Sequence, residues 1–442
     1  MKTLICIPCL LTGGTEIQTL NTVHALVQGE HEVTVACYFE HSPYMVERYR
    51  KAGTKVLLFS PEGTRVEGYR AILYLYKHLR RTIKAVRPDV THVQYMAPGA
   101  MVILLLWLMG VKNIIATAHT AADIYKDLRL IHFLQRHCLR AFTCITERAE
   151  RSFFGSSQLY TTETVLRKRN HFTIYNALPA QMRCNVDANV LGLAEGCAID
   201  VNCLRDEDTQ SVYDNVNENN SQLTISSGAA SLNLQPSSII HQPSKSAASL
   251  TGTEGAYSKQ NTIGAVSRLE SIKGMDLVVP AFAEVLKRFP EVRLLVVGDG
   301  SLRATMEQQA AELGCADRIT WVGRQPQEEL NKWYGQMDIV LMPSRSEGFG
   351  LTAIEAMANG CVMVASNVGG LPEVVRDGVC GLLHRTEDVK DMADKICTLL
   401  DDAALYDRLR TQALCEVKKY SFQRYAELVC NLYERLAVND HR

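Results

Sequence analysis

The sequence predicts an α/β protein with two doubly wound domains, each a parallel sheet covered by helices on both faces. Short, strongly apolar runs that are typical of buried parallel strands alternate with helix-forming segments on both sides of a polar middle region. Glycine-containing turns follow several of these runs, as expected where strands lead into helices. At 442 residues, the chain is long enough for two or three domains with a core each.

The first domain is predicted to span residues 1–180. A glycine turn at Leu11–Glu16 and a helix at Asn21–Val27 follow its first strand, and a longer helix is predicted at Tyr69–Val86. Ligands of such a sheet are expected beyond the carboxyl ends of its strands. The predicted strands are Thr3–Leu10, His31–Tyr38, Lys55–Phe59, Asp89–Gln94, Asn113–Ala118, Cys144–Thr146 and Phe172–Tyr175.

Charge is distributed unequally along the chain. Residues 1–180 contain 22 lysines and arginines against 13 acidic residues, and the remainder contains 25 against 35. A basic first half indicates an anionic partner, such as a lipid phosphate or a membrane surface, although scattered surface cations explain it equally well. The apolar stripe of the helix at Tyr69–Val86 either lies on an anionic membrane or packs on the sheet. The cations of that helix are Arg70, Lys77, Arg80, Arg81 and Lys84.

Cysteine usage and the apolar runs predict a cytoplasmic protein. The 14 cysteines are dispersed and lie mostly in apolar runs, which is typical of buried, reduced thiols. Cys6 and Cys9 form a C-x-x-C pattern, but no second pair follows at zinc-site spacing. Pro8 interrupts the apolar run after Lys2, so a buried strand is favoured over a signal peptide. The longest uninterrupted apolar run, Met101–Met109, is too short to cross a bilayer.

Composition changes between residues 181 and 260. This segment is polar, rich in Ser, Ala, Gln and Pro in its second half, and without clear periodicity, so an insertion or linker with disorder or loose surface packing is expected. Asp206-Glu207-Asp208 formally matches D-x-D, a metal-binding pattern. Its position in an acidic polar tract indicates coincidence, and no metal site is predicted.

The second domain is predicted at residues 261–420, and a C-terminal helix at Ser421–Leu436 belongs to a last segment, residues 421–442. Arg268 and Lys273 follow the first strand of this domain near a helix start. Two cations placed there suit a diphosphate, since arginine offers a planar fork and lysine a point charge. The predicted strands are Thr262–Ser267, Arg293–Val297, Ile319–Val322, Ile339–Met342, Cys361–Ala365 and Gly381–His384.

The stretch Ser344–Ala358 carries the clearest candidate site. It follows the strand Ile339–Met342 and leads into a helix, with two glycines flanking a phenylalanine in the turn. Such a turn can bring backbone N–H groups close to a ligand, and the helix N-terminus favours an anion such as a phosphate. Glu347 and Glu355 frame the turn with seven residues between them, so their carboxylates can accept hydrogen bonds from two sets of hydroxyls, as on a sugar and a ribose.

This stretch closely resembles the donor-site signature of the GT-B retaining glycosyltransferases of family 4, also called group 1. A glutamate, a G-F-G turn and a second glutamate fall at the same spacing, and residues 261–384 follow that family's C-terminal domain almost continuously. The resemblance implies two Rossmann-like domains that face each other across a cleft. The last helix, Ser421–Leu436, resembles the segment that crosses back onto the first domain in this fold. The sequence departs from the family at Asn176–Pro179, where Ala177 replaces the usual glycine.

The resemblance also implies a role for individual residues. Arg268 and Lys273 bind the diphosphate, Glu355 binds ribose hydroxyls, and Glu347 orients the sugar. His119, in the segment Thr117–Asp123, is placed against the donor sugar and joins Glu347, Arg268 and Lys273 as a catalytic residue. The other implied donor-binding residues are Gly14, Gly323, Arg324, Gly348, Phe349, Gly350 and Leu351.

The implied function is retaining transfer of a sugar from a nucleotide-diphosphate-sugar to an acceptor hydroxyl, in cell-surface polysaccharide or glycolipid synthesis. No cofactor, metal or nucleic acid is expected, a UDP-sugar is the favoured donor, and a carbohydrate or lipid-linked molecule is the expected acceptor. A peripheral contact with an anionic membrane, at its inner face, is also expected. The alternatives are a nucleotide-sugar epimerase, a sugar phosphorylase, for which no pyridoxal lysine is evident, and a non-catalytic nucleotide-sugar binding protein.

Overall fold

The computed structural model describes residues 1–94, 99–166, 169–182 and 261–438. Nearly all of the predicted polar insertion, including Asp206-Glu207-Asp208, lies outside the described residues. The described chain forms two parallel sheets with helices on both faces, which confirms the predicted α/β class. We call residues 1–182 the first lobe and residues 261–420 the second lobe, in each case for the described residues only.

The sheet of the first lobe has seven described strands in the order β3-β2-β1-β4-β5-β6-β7, and every pair is parallel. The central strands are buried along almost their whole length, because helices cover both faces. The strands are β1 Lys2–Ile7, β2 Glu32–Cys37, β3 Lys55–Leu58, β4 Val90–Gln94, β5 Ile114–Ala118, β6 Ala141–Cys144 and β7 His171–Thr173.

Two groups of helices cover this sheet. The helices α1 and α2 pack on one face, and α3 to α6 pack on the other. Their bounds are α1 Gly14–Gln28, α2 Pro43–Lys51, α3 Gly68–Val86, α4 Gly99–Leu108, α5 Arg129–His137 and α6 Glu147–Phe154.

The sheet of the second lobe has six described strands in the order β10-β9-β8-β11-β12-β13, again all parallel. Its strands are β8 Thr262–Val266, β9 Arg293–Val297, β10 Ile319–Gly323, β11 Ile339–Met342, β12 Val362–Ser366 and β13 Gly381–His384. Its helices are α7 Val278–Leu286, α8 Arg303–Glu312, α9 Leu330–Tyr334, α10 Leu351–Ala358, α11 Leu371–Val374, α12 Val389–Asp401 and α13 Ala403–Glu416.

A final helix, α14 at Phe422–Val438, leaves the second lobe and lies on the first. Its Tyr425 hydroxyl is 2.7 Å from Thr22 Oγ1 on α1, and its Tyr433 hydroxyl bonds His92 on β4. Its apolar side chains join the core that α1 and α2 form under the sheet. The chain therefore connects the lobes twice, once through the region after residue 182 and once through this helix.

Two local predictions are corrected by the structure, and one helix was missed. The helix predicted at Asn21–Val27 begins at Gly14, because Gly13 accepts the first helical hydrogen bond from Ile17. The strand predicted at Cys144–Thr146 is Ala141–Cys144, and Thr146 instead caps α6 by accepting a hydrogen bond from Ala149 N. The helix α2 was not predicted, although Ser42 and Pro43 form a clear start signal. Among the described helices, none is both long and apolar enough to cross a membrane.

Candidate active site

The turn between β11 and α10 contains a glycine at a position where other residues would be strained. Gly350 has φ of 107°, in the left-handed region, and a Cβ there would lie 2.7 Å from Leu371 Cδ2. Phe349 is buried between the rings of Tyr175 and Tyr420, at centroid distances of 6.2 and 5.5 Å. The side chain of Phe349 therefore fixes the turn in the core, and only its backbone is left to contact a ligand.

Lys273 and Glu347 form an ion pair beside this turn. Lys273 Nζ lies 2.6 Å from Glu347 Oε2, and the two side chains are 22% and 14% exposed. Gly274, with φ of 65°, closes the short turn that carries Lys273, and a Cβ there would lie 1.9 Å from Pro343 O. This glycine lets the lysine turn pack directly against the end of β11, which brings together two residues that are 74 positions apart.

Glu355 lies one turn into α10 and is only 4% exposed. Gln327 Nε2 donates to its Oε1 at 2.7 Å, and the Tyr334 hydroxyl donates to its Oε2 at 3.0 Å. Burial raises the pKa of Glu355 to about 7, and these two donors only partly oppose that effect. A carboxyl group that is half protonated near neutral pH can both accept and donate hydrogen bonds to hydroxyls.

Arg268 extends from the end of β8 and is exposed. Its charge acts on Glu16, a carboxylate in the first turn of α1 in the opposite lobe. Burial raises the pKa of Glu16, and Arg268 opposes this rise. The arginine that the resemblance predicts to bind the diphosphate is therefore near enough to Glu16 for their charges to interact.

Gly14 is the first residue of α1, directly after Gly13, and lies near Leu351, the first residue of α10. A Cβ on Gly14 would lie 3.6 Å from Leu351 Cδ1, which is ordinary van der Waals contact. At Gly13, a Cβ would lie 2.5 Å from Glu16 Oε2, so the missing side chain leaves room for the carboxylate. Cys9 donates its thiol hydrogen to Glu16 Oε1 at 3.2 Å, and burial raises the pKa of Cys9 to about 12. This thiol is therefore not a reactive thiolate.

His119 follows β5 and lies against the Gly348–Gly350 turn between β11 and α10, which we call the donor turn after its predicted role. It is 7% exposed, and burial lowers its pKa to about 3, so its imidazole is neutral at physiological pH. Its Nε2 is 2.7 Å from Gln94 Oε1 at the end of β4, which indicates that Nε2 carries the hydrogen. Its carbonyl oxygen approaches Gly348 so closely that a Cβ there would lie 2.4 Å away.

The loop after β10 contacts residues of both lobes. Gly323 has φ of 78°, and nothing lies within 4 Å of the position its Cβ would take. Arg324 Nη2 donates to Thr12 Oγ1 in the first lobe at 2.9 Å. Gln327, in the same loop, holds Glu355. Gly323 and Arg324 thus share a loop with Gln327, and it is Gln327 that bonds Glu355 in the helix after the donor turn.

Comparison with known proteins finds two matching glycosyltransferase models. The family model described as glycosyl transferases group 1 matches residues 250–414, and the one described as Glycosyltransferase Family 4 matches residues 12–159. The two models match separate parts of the chain, and each covers less than half of it. The D-inositol 3-phosphate glycosyltransferase of Nocardia farcinica is 39% identical over 175 residues, which are 38% of this chain and 39% of that relative. The protein of the same name from Corynebacterium jeikeium is 37% identical over 191 residues, 42% of this chain and 46% of the relative. The chain thus spans less than half the length of these curated relatives.

Solved structures share the fold of this chain. HepE from Anabaena in complex with UDP superposes with a TM-score of 0.66 at 15% identity, over 98% of this chain and 100% of HepE. At that identity the likeness concerns the fold alone. It confirms the GT-B architecture that the sequence resemblance implied.

The structure adds four side chains that the sequence did not single out. Three of them contact a predicted site residue from another element, and the fourth, Glu16, lies against Gly13 from the first turn of α1. Their residue types have many structural uses, so type and spacing gave no signal. These residues are Gln94 at His119, Glu16 at Gly13, and Gln327 and Tyr334 at Glu355.

The segment that departs from the family is held by α1. Gln18 Oε1 accepts a hydrogen bond from Ala177 N at 3.1 Å, and Asn21 Nδ2 donates to Ala177 O at 3.1 Å. Leu178 N donates to Tyr420 O at 2.9 Å, in the turn just before α14. The backbone groups of this segment are thus bonded to α1 side chains and to the backbone of Tyr420.

Proposed function

We propose that this protein is a retaining glycosyltransferase that moves a sugar from a nucleotide-diphosphate-sugar to an acceptor hydroxyl. The observation that carries the proposal is the placement of the Lys273–Glu347 pair and the buried Glu355 at the two ends of the Gly348–Gly350 turn. One carboxylate paired with a cation and one carboxyl buried with donors provide distinct environments for a sugar diphosphate and a ribose. The two family models that match the chain support this reading.

In the proposed complex, each group contacts a different part of the donor. Glu355 bonds the ribose hydroxyls, and it exchanges the amide of Gln327 for one of them. Lys273 and Arg268 bind the diphosphate, while Glu347 orients the sugar with the N–H groups of the turn. HepE has been solved with UDP, which supports a UDP-sugar as donor.

In the proposed reaction, the bond between the anomeric carbon and the diphosphate breaks while the acceptor oxygen attacks from the same face. Attack from this face gives retention, and the acceptor proton passes to an oxygen of the leaving phosphate. Lys273 and Arg268 stabilise the charge that develops on the diphosphate, without a divalent ion or cofactor. The neutral imidazole of His119, fixed by Gln94, provides a polar contact with the sugar.

The acceptor is proposed to be a carbohydrate or a lipid-linked molecule, in polysaccharide or glycolipid synthesis. The excess of cations in the first 180 residues suits an acceptor that carries a phosphate. The relatives named D-inositol 3-phosphate glycosyltransferase make a phosphorylated cyclic polyol a second acceptor class to test.

The test is release of nucleoside diphosphate from a panel of UDP-, GDP- and ADP-sugars, with and without a chelator and with each acceptor class. Chelator-resistant release from one donor, with an α-linked product from an α-linked donor by NMR, is the expected result. Glu347→Ala should reduce release by about 100-fold or more, since it removes a group that contacts the reacting sugar. Glu291→Ala is the matched control, because Glu291 is an exposed carboxylate of the same lobe with a side chain 83% exposed.

Other outcomes separate the alternatives. Conversion of the donor sugar without any acceptor would identify an epimerase. Donor binding without turnover under every condition would identify a non-catalytic binding protein. Full activity of a folded Glu347→Ala variant would remove the assignment of the site.

A second proposal concerns the outer surface of α3, α4 and α5. These helices lie side by side on one face of the first sheet and share a core beneath it. In the described part of the chain, nine exposed large hydrophobic side chains lie on them and seven lie elsewhere. The nine are Tyr69, Ile72, Leu73, Tyr76, Met101, Trp107, Leu108, Leu130 and Phe133.

Charge on this surface has one sign. The helix α3 carries five lysines and arginines, α5 carries two, and none of the three helices contains an acidic residue. Leu75 and Leu79 of α3 pack on the sheet, while Tyr69 and Leu73 are 72% and 67% exposed, so α3 has apolar side chains on its outer surface as well. We propose that this surface rests on the anionic inner face of a membrane, which places a cytoplasmic enzyme beside a lipid-linked acceptor.

Vesicle sedimentation tests this contact. Binding is expected to phosphatidylglycerol vesicles, not to phosphatidylcholine vesicles, and it should weaken in high salt. The double variant Leu73→Ser and Leu108→Ser should bind at least several-fold less. The control Leu313→Ser changes a leucine of the second lobe that is 49% exposed. Equal binding by the double variant and the control would reject this surface, and binding to an acidic protein alone would replace the membrane by a protein partner.

A further inference from the structure

The inference concerns Glu373, a residue outside the predicted site that joins the two lobes. Glu373 lies on α11 in the second lobe, and its side chain is 16% exposed. Its Oε2 accepts a hydrogen bond from Glu147 N at 2.9 Å, and its Oε1 accepts one from Arg148 N at 2.5 Å. Both donors are in the first turn of α6 in the first lobe. The carboxylate thus bonds two backbone N–H groups that a helix leaves without internal partners.

The contact completes the cap of α6. Thr146 Oγ1 accepts the third N–H of the first turn, from Ala149 at 3.1 Å. A negative charge at a helix N-terminus is favourable, because the helix dipole places partial positive charge there. Arg151 Nη2 lies 3.7 Å from Glu373 Oε1 and adds a cation on the same side. The helix N-terminus of one lobe is therefore capped by a carboxylate of the other.

The turn before Glu373 is stacked on the donor turn without room for side chains. Gly370 N donates to Glu347 O at 3.1 Å. A Cβ on Gly369 would lie 1.8 Å from Glu347 O, and one on Gly370 would lie 2.4 Å from Gly348 O. A shift of Glu373 is therefore transmitted directly to the backbone that carries Glu347.

The same region of the first lobe touches the donor turn at a second point. A Cβ on Gly348 would lie 2.4 Å from His119 O, and one on Gly370 would lie 2.8 Å from Thr146 Cγ2. Arg148 Nη1 also donates to Gly369 O at 2.7 Å. The two hydrogen bonds between Glu373 and α6 thus join the lobes next to the point where His119 contacts the turn that carries Glu347.

We propose that Glu373 is a positioning residue that holds α6 against the donor turn and thereby sets the spacing between His119 and Glu347 during transfer. The proposal rests on the glycosyltransferase function proposed above. Without the two hydrogen bonds, the lobes separate more often while donor is bound. Water then reaches the anomeric carbon, and hydrolysis of the donor competes with transfer to the acceptor.

The first measurement is the ratio of donor hydrolysis to transfer in Glu373→Ala. The ratio should rise about tenfold and kcat for transfer should fall about tenfold, because small errors in placing reacting groups are costly. Glu373→Gln keeps the size of the side chain but turns an amide N–H₂ toward one of the two donors, so an intermediate effect is expected. Glu291→Gln is the control and should leave both quantities unchanged. An unaltered ratio in a folded Glu373→Ala variant would overturn the proposal.

The second measurement does not depend on turnover. Hydrogen exchange of the Glu147 and Arg148 amides should accelerate about tenfold in Glu373→Ala, while amides in the middle of α1 keep their protection. Unchanged exchange at both amides would also overturn the proposal. If the wild-type protein turned over no donor, the proposed function would fail, and the exchange measurement would still decide whether Glu373 holds α6.

Discussion

The two lobes build their shares of the site in different ways. In the second lobe, Glu347, the glycine turn and Glu355 come from one continuous stretch, and the two cations follow a single strand. In the first lobe, Gly14, His119 and Thr146 come from three separate elements, and the closest approach to the donor turn is made by a backbone atom, the carbonyl oxygen of His119. The share of the second lobe therefore depends on the side chains of one stretch. The share of the first lobe depends on how closely its backbone approaches that stretch.

The largest effect should come from the ion pair of the second lobe. Lys273→Ala removes the cation beside Glu347 and leaves a carboxylate that is 14% exposed without this partner. Transfer should fall by about 100- to 1,000-fold, as for other groups that stabilise developing charge. Steady-state kinetics with the best donor measures this.

The control for this variant is Lys287→Ala, which removes an exposed lysine of the same lobe that is paired with Glu284. Its activity should equal that of the wild type. A loss of less than threefold in Lys273→Ala would show that the second lobe does not act through this cation.

Two glycines that touch the opposite lobe offer a sharper comparison. Gly348→Ala places a methyl group 2.4 Å from His119 O, a backbone atom, so the lobes must move apart. Transfer should fall by about tenfold or more, since the reacting groups are misplaced. Gly14→Ala meets only Leu351 Cδ1, at 3.6 Å, and should leave transfer within about twofold.

Kinetics of both variants, with thermal melting to verify folding, tests the claim that backbone approach matters where the lobes meet. Equal effects of Gly348→Ala and Gly14→Ala would contradict it. A Gly348→Ala variant with a lower melting temperature but normal transfer would show that the close contact serves stability and not the reaction.

The buried carboxyl of the second lobe predicts a pH dependence of stability. The folded protein raises the pKa of Glu355 from its ordinary value of 4.5 to about 7, so the folded state binds this proton more tightly than the unfolded state. Its contribution to stability is therefore fully present below pH 4.5 and is lost as the pH rises to about 7. The loss amounts to about 3–4 kcal/mol at most, from about 1.4 kcal/mol for each pH unit over roughly 2.5 units.

Glu355→Gln should remove this part of the pH dependence, because a glutamine does not titrate. Gln327 can rotate its amide to accept from the new side chain, so the hydrogen bond is kept. Denaturant unfolding of both proteins between pH 5 and 8 measures the difference. Parallel stability curves would show that Glu355 is not held in a protonated form.

The sequence predicted much of the fold, and the reasons are local. Short apolar runs located the strands, since both faces of each sheet are buried, and the glycines between Glu347 and Glu355 predicted the turn from β11 into α10. The donor-binding roles of the residues in this turn stay predictions. His119 was predicted only through family resemblance, and its partner Gln94 was not predicted. The contact of Gln94 with His119 depends on the register of β4 against β5, which no local pattern specifies.

Glu373 illustrates the same limit over a longer separation. It bonds Glu147 across 226 positions and two lobes, and a glutamate after a Gly-Gly-Leu-Pro turn has many structural uses. The strand predicted at Cys144–Thr146 failed for a related reason. Threonine suits both a strand and a helix cap, and the contacts of α6 decide between them.

The smallest predicted effect concerns α14, the helix that leaves the second lobe and lies on the first. The hydroxyl of Tyr425 on α14 lies 2.7 Å from Thr22 Oγ1 on α1, and both groups are largely buried. Tyr425→Phe should lower the free energy of unfolding by about 1 kcal/mol, the usual net value of such a hydrogen bond, and should leave transfer unchanged. With Thr22→Val and the double variant, a double-mutant cycle isolates the pair, and the double variant should lose less than the sum of the single variants. Strictly additive losses would show that this bond does not hold α14 on the first lobe. The connection between the lobes would then rest on the apolar contacts of α14 and on the bonds that α6 makes with the second lobe.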